Sequence, residues 1–143
     1  MAESKDIDAQ INRMYIELNT LNSIAESLKQ QSDTIEKYIL DTQLSLNTIN
    51  EISNSDSGHK ILLPLGSVLL IDAVLTNNRS AYLHVGANII IKKSNTEIKA
   101  FLETQLTQLQ KEQIETQKKL NQVMNNISVL QVQLNSLLQN VQR

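Results

Sequence analysis

"ILLPLGSVLLIDAVL", residues 61–75, stands near the middle of a 143-residue chain. The stretch is rich in leucine and β-branched residues and is broken once by Pro64 and once by Gly66. It is too short and too often broken for a helix, so it reads as strand. Outside this middle part the pattern is helical on both sides, almost to the ends of the chain. A little sheet held between two long helices is therefore the feature from which the fold has to be read.

Four β-like runs lie in this middle part, at about 60–63, 67–75, 80–85 and 88–93. "TNNR", residues 76–79, is expected to be a hairpin turn because Asn tolerates positive φ, and "VGAN", residues 85–88, gives a second turn through Gly86. Pro64 cannot donate to a ladder and belongs at a strand start or on an edge. Two hairpins of this size cannot bury both faces by themselves. Their apolar sides, with Val68, Leu70, Ala81, Leu83, Ile89 and Ile91 as candidates, need a partner. Free strand edges also invite pairing between chains. The middle is thus read as an oligomerisation unit, in which strands of several chains close into a barrel from which the helices project.

The first helical arm carries apolar residues at alternating steps of four and three. The series is Ile7, Ile11, Met14, Leu18, Leu21, Ala25, Leu28, Ser32, Ile35, Ile39, Thr42, Leu46 and Ile49. Only Ala25, Ser32 and Thr42 depart from Ile, Leu or Met, and no proline interrupts the run, so this is a heptad seam. A helix over about residues 5–52, at ~1.5 Å per residue, would be on the order of 70 Å long. "SNSDSG", residues 53–58, ends it with side chains that compete for the backbone and a permissive glycine. The second arm opens at "SNTE", residues 94–97, a Ser-x-x-Glu capping box. Its seam runs Leu102, Leu106, Leu109, Gln113, Thr116, Leu120, Val123, Ile127, Leu130, Leu134, Leu137 and Val141, over a helix of about residues 95–141. The fold class is α+β, mainly α: a long antiparallel coiled-coil hairpin with two β-hairpins between its helices, as a single domain over residues 1–143.

Antiparallel pairing makes a prediction about the polar breaks. With Ile49 near residue 99 and Ile7 near Val141, Ser32 falls beside Thr116 and Gln113 near Ile35. A polar layer across the seam would fix register at some cost in stability. The alternative is that Ser and Thr are merely tolerated at these positions.

Composition excludes several function classes. There is no Cys and no Trp, one Phe, one Pro and three Gly. Without Cys there is no disulfide framework or thiolate metal site, which fits a reducing compartment. No apolar run reaches the roughly 18 residues of a membrane span, and none of signal-peptide type follows Met1, so a cytoplasmic protein is expected. The net charge of −2 divides into −6 over residues 1–56, +3 over 57–95 and +1 over 96–143. Lys92 and Lys93 without an aromatic platform make no nucleic-acid surface. His59 and His84 stand apart with no ligand motif, so no metal site is expected. Gly58, Gly66 and Gly86 form no phosphate loop, and neither a cofactor nor an enzyme activity is expected.

The order helix, two β-hairpins, helix resembles prefoldin, and the two-hairpin form is similar to its α-class subunit. The residues that carry the resemblance are "ILLPLGS", 61–67, and "VGANIIIKK", 85–93, which stand where the family has a Leu-x-Pro-Leu/Val-Gly strand and a Val-Gly-x-Gly strand. Asn88 takes the place of that second glycine. The resemblance implies a hexamer of two α-class and four β-class subunits, assembled through the hairpins into a double β-barrel. It implies a chaperone that holds unfolded proteins without ATP and hands them to a group II chaperonin. The assembly residues it implies here are Leu63, Pro64, Leu65, Gly66, Val68, Leu70, Leu83, Val85, Gly86, Ile89 and Ile91. Client binding falls at the free ends of the arms. Apolar residues gather there inside and outside the seam: Ile7, Ile11, Met14, Tyr15, Ile16, Val129, Val132, Leu134, Leu137, Leu138 and Val141. A second apolar group near the hairpins, including Tyr38, Leu40, Leu44, Ile52, Ile98 and Phe101, is expected to dock against the sheet. The competing reading is a structural coiled-coil scaffold or filament subunit with no client.

Overall fold

The heptad pattern does become two long helices. A computed structural model describes residues 1–142. Helix α1 spans Ala2–Asn54 and helix α2 spans Asn95–Val141. Between them lie β1 (Lys60–Leu65), β2 (Leu69–Val74), β3 (Ser80–His84) and β4 (Ile90–Ser94). The chain divides into two compact units, Met1–Lys37 with Gln110–Arg143, and Tyr38–Leu109.

Within the first unit the helices pack antiparallel along their seams. Met14 packs with Leu130 and Leu134, with Ile11, Leu18 and Leu137 around them. Ala25 packs with Leu120 and Ile127. Over residues 1–50, the only side chains that are not exposed are the thirteen positions of the heptad series. The second seam agrees except at its end, where Val141 is exposed and Leu138 is half-buried. A coiled-coil seam has one layer of neighbours, so burial is shallow; among the described residues no large side chain is fully enclosed. Each aliphatic seam residue therefore contributes less than the ~1.5–3 kcal/mol of complete burial, and stability comes from the length of the row.

The polar breaks are accommodated in different ways. The Gln113 amide donates to Ser32 Oγ at 3.1 Å. Ser32 and Thr116 are both buried, and the polar layer is present, with Gln113, and not Thr116, donating across the helices to Ser32. Thr42, in the second unit, donates to the Tyr38 carbonyl of its own helix at 2.7 Å and so enters the seam without an unmet hydroxyl.

In the second unit, Ile49, Ile98 and Leu102 form the core, with Leu46 and Ala81 against them. Ser53 and Ser55 donate to the carbonyls of Ile49 and Glu51, which closes the end of α1. The capping box forms as expected: the Glu97 amide donates to Ser94 Oγ, and Glu97 Oε2 accepts from the Ser94 amide.

The strands form two separate two-stranded sheets, β1–β2 and β3–β4, both antiparallel. This corrects the expected turn at residues 76–79. The first hairpin turns at residues 66–68, between Leu65 and Leu69, where Gly66 has φ +78°. Residues 76–79 instead link one hairpin to the next. Their asparagines are used as side-chain ligands and not for positive φ. Asn77 Oδ1 accepts from the Arg79 amide while its Nδ2 donates to Ser80 Oγ, and Asn78 Nδ2 donates to the Ser55 carbonyl. The second strand accordingly starts at Leu69, two residues later than expected. The turn through Gly86 is present: the Ile89 amide donates to the Gly86 carbonyl, with Ala87 (φ 49°) and Asn88 (φ 59°) both left-handed between them.

Candidate functional site

The first hairpin is apolar on nearly every side. Its register sets Ile61 against Ala73, Leu63 against Ile71 and Leu65 against Leu69 on one face, and Pro64 against Leu70 on the other. Leu62, Leu63, Leu65, Leu69, Leu70 and Ile71 are all exposed, and Val68 at the tip keeps 96% of its surface. The exposed apolar side chains thus form a dense patch on one small hairpin. Pro64 and Gly66 are exposed as well. In the second hairpin Val85, Gly86 and Ile89 are exposed, whereas Leu83 and Ile91 are half-buried. Lys92 lies over the Tyr82 ring, 5.9 Å from its centroid, on the opposite face from Leu83.

The helix residues expected to dock on the sheet divide. Ile98 is buried and Ile52 half-buried, as expected. Tyr38, Leu40 and Leu44 are exposed instead, Leu44 to 65%, and Phe101 is also exposed. A two-stranded hairpin covers only one or two turns of a helix, and Ala81 already occupies that footprint on the Ile49–Ile98 core. What remains is an apolar groove of about 370 Å³ in which Leu44 and Ile52 face Ala81 and Leu83.

One junction was not foreseen from the sequence. Asn95, only 6% exposed, donates from Nδ2 to Ser53 Oγ and to the Asn78 carbonyl. It ties the start of α2 to the end of α1 and to the link between hairpins. The buried Oδ1 of Asn95 has no partner. The sequence signal was there in part, since Asn95 sits inside the capping box, but nothing in the spacing marks it as a tertiary ligand.

At the free ends of the helices, Met14, Leu130, Val132 and Leu137 line a groove of about 500 Å³, rimmed by Gln10, Glu17, Gln133 and Ser136. Of the residues singled out there, Tyr15, Ile16, Val129, Val132 and Val141 are exposed. Met14 and Leu134 are buried in the seam, and Ile7, Ile11, Leu137 and Leu138 are half-buried. Among the described residues no cluster of three or more His, Asp or Glu is placed to hold a metal ion, and no helix is long and apolar enough to cross a membrane.

Two long heptad-patterned helices with two β-hairpins between them in the chain define a coiled-coil class of protein. Residues 21–140 match the family model described as prefoldin subunit, and the chain belongs to the prefoldin family. Its relatives are α subunits. It is 29% identical to prefoldin subunit alpha of Methanococcoides burtonii, over 85% of this chain and 83% of that one. It is 24% identical to prefoldin subunit alpha of Thermofilum pendens, over 71% of this chain and 74% of that one. The fold is shared with a solved cryo-EM structure of filamentous PFD from Methanocaldococcus jannaschii, with a TM-score of 0.70 at 17% identity, over 82% of this chain and 98% of that one. The family carries a chaperone-type function, and its α subunits assemble with other prefoldin subunits.

Proposed function

We propose that this chain is the α-class subunit of an ATP-independent holding chaperone, working as one domain over its whole length. Its hairpins join it to β-class subunits, two α-class with four β-class, in a cytoplasmic hexamer. The free ends of its coiled coil hold unfolded proteins and deliver them to a group II chaperonin. The observation that carries this reading is the first hairpin, whose apolar residues are exposed on both faces in the single chain. Burial of such a surface favours assembly by roughly 25 cal/mol per Å² of apolar area. The exposed Ile16 and Val132, together with the groove lined by Met14 and Leu137, support client holding at the other end of the helices. Loosely packed apolar side chains with a Met among them suit varied partners.

The test is to purify the tagged chain from its own cytoplasm and weigh the complex by native mass spectrometry. Two copies of this chain with four of a shorter one-hairpin subunit, and suppression of client aggregation without ATP, are expected. A homopolymer of variable length that leaves aggregation unchanged would replace this reading with a structural filament subunit. The filamentous form of the solved neighbour speaks for that second reading.

A further inference from the structure

We propose that the groove between the free ends of α1 and α2 takes unfolded segments in which an aliphatic side chain stands next to a lysine or arginine, and that Glu17 pairs with that cation. This rests on the client-holding reading above and names the class of segment held. The groove, of about 500 Å³, lies within the first unit and has an apolar floor that includes Met14, Leu130 and Leu137. Its volume falls in the range of pockets for compact groups, roughly 300–1,000 Å³. The rim is polar in two different ways. Gln10 and Gln133 each carry an amide that can donate and accept, which suits the peptide N–H and C=O of a segment without secondary structure. Glu17 is different: among the described residues that line the groove, it alone is ionisable.

Charge complementarity then selects the occupant. Glu17 is exposed and, among the described residues, has no hydrogen bond or ion pair, Arg13 one turn back included. The facing helix cannot neutralise it. Residues 120–142 contain no Asp, Glu, Lys, Arg or His, and ten of these 23 are Asn or Gln. Side-chain charge beside the groove therefore comes from α1, where residues 1–17 hold Glu3, Asp6, Asp8 and Glu17 against Lys5 and Arg13. A second copy presenting the same end would bring the same acidic excess, and like charges repel. A segment with Asp or Glu beside its aliphatic group meets that repulsion too. One with Lys or Arg gains an ion pair, while the aliphatic stem of that residue lies along the apolar floor. The uncharged amides of α2 accept either segment alike, so the choice falls to Glu17.

The experiment uses the full-length chain in the complex purified with it. The probes are fluorescein-labelled peptides, identical but for Lys, Gln or Glu beside each Leu, with Gly-Ser spacers to keep them unfolded. Binding is followed by fluorescence anisotropy, with circular dichroism to check helix content. At low salt the Lys peptide is expected to bind most tightly and the Glu peptide least, and the difference is expected to close in about 0.5 M salt. Glu17→Gln should weaken the Lys peptide about two- to fivefold, the scale of an exposed ion pair, and leave the Gln peptide unchanged. Glu26→Gln, an exposed acidic residue of α1 outside the groove, should leave all of them unchanged. Equal binding of the Lys and Glu peptides, or an effect of Glu26→Gln as large as that of Glu17→Gln, would overturn the assignment. So would a complex whose mass doubles and whose peptide uptake falls with rising concentration, because a second copy would then fill the groove. Any of these results, with client aggregation still suppressed, leaves the holding reading intact. A complex that binds no peptide and suppresses no aggregation sinks both.

Discussion

Gln113 Nε2 donates to Ser32 Oγ at 3.1 Å between residues 81 positions apart in the chain, inside an otherwise apolar seam. The bond locks one register of α1 against α2, because a slip of one heptad on either helix would set Ser32 or Gln113 against an aliphatic side chain. Ser32→Ala leaves the Nε2 of half-buried Gln113 without this acceptor, when its buried Oε1 already lacks a partner. A loss of about 1–3 kcal/mol is expected. Leu at both positions is expected to be neutral or stabilising, because no polar group is then stranded. Thermal melting by circular dichroism distinguishes the two; a melting point for Ser32→Ala equal to wild type would mean that the bond does nothing for stability.

Ala87 holds φ 49° in the turn of the second hairpin. An L-residue with a Cβ pays for left-handed backbone, by roughly 1–2 kcal/mol, where glycine does not. Ala87→Gly is expected to raise the urea midpoint, with a gain of up to about 1 kcal/mol after the extra freedom of the unfolded chain is subtracted. Asn88→Ala, at φ 59°, is expected to lower it. Opposite signs at neighbouring positions are the readout.

Asn95 donates two hydrogen bonds that reach both Ser53 and the Asn78 carbonyl. Asn95→Ala should cost about 2 kcal/mol, since both acceptors lose their partner in a largely buried place. Hydrogen exchange of the amides at 78–80 should quicken selectively. Uniform quickening along the whole chain would instead indicate that Asn95 acts only through helix capping.

Ile16 and Val132 expose 67% and 66% of their surface. Ile16→Ser with Val132→Ser should change stability by no more than about 1 kcal/mol in total. Suppression of client aggregation by the assembled complex should fall severalfold. Leu130→Ala, in the packed seam, is expected to cost about 2–4 kcal/mol and serves as the contrast. Undiminished suppression by the double serine variant would remove these residues from the client surface.

Much of this fold was legible because a heptad seam repeats the same information. Thirteen positions from Ile7 to Ile49 had to agree, and one wrong frame would have put charges in the interface. The capping box at Ser94 was equally plain, since it is local. What escaped was of a different kind. The asparagines at 77 and 78 have the composition of a turn; Asn77 does bond locally, to Arg79 and Ser80, yet the Asn78 side chain reaches the Ser55 carbonyl, 23 residues away. Periodicity carries no trace of such contacts. The exposure of Tyr38, Leu40 and Leu44 escaped for a related reason: an apolar residue near a sheet announces that something covers it without saying whether that something belongs to the same chain. The client surface was read from the family resemblance and an uneven scatter of aliphatics, and the assembly surface from the apolar hairpins, so the residues of both stand as proposals; what register and exposure give directly is that the first hairpin is apolar and uncovered.

A seam without a single fully enclosed large side chain behaves as a zipper and not as an arch. An arch has a keystone, and loosening it brings everything down. Here each rung leans on the rungs beside it, and fixing one more turn adds a similar small increment. Opening that begins at the unjoined ends, beyond Met14 and Leu134, can halt at any rung. Warmth should therefore lengthen the open portion by degrees, so that the amount of apolar lining on offer acts as a dial set by temperature.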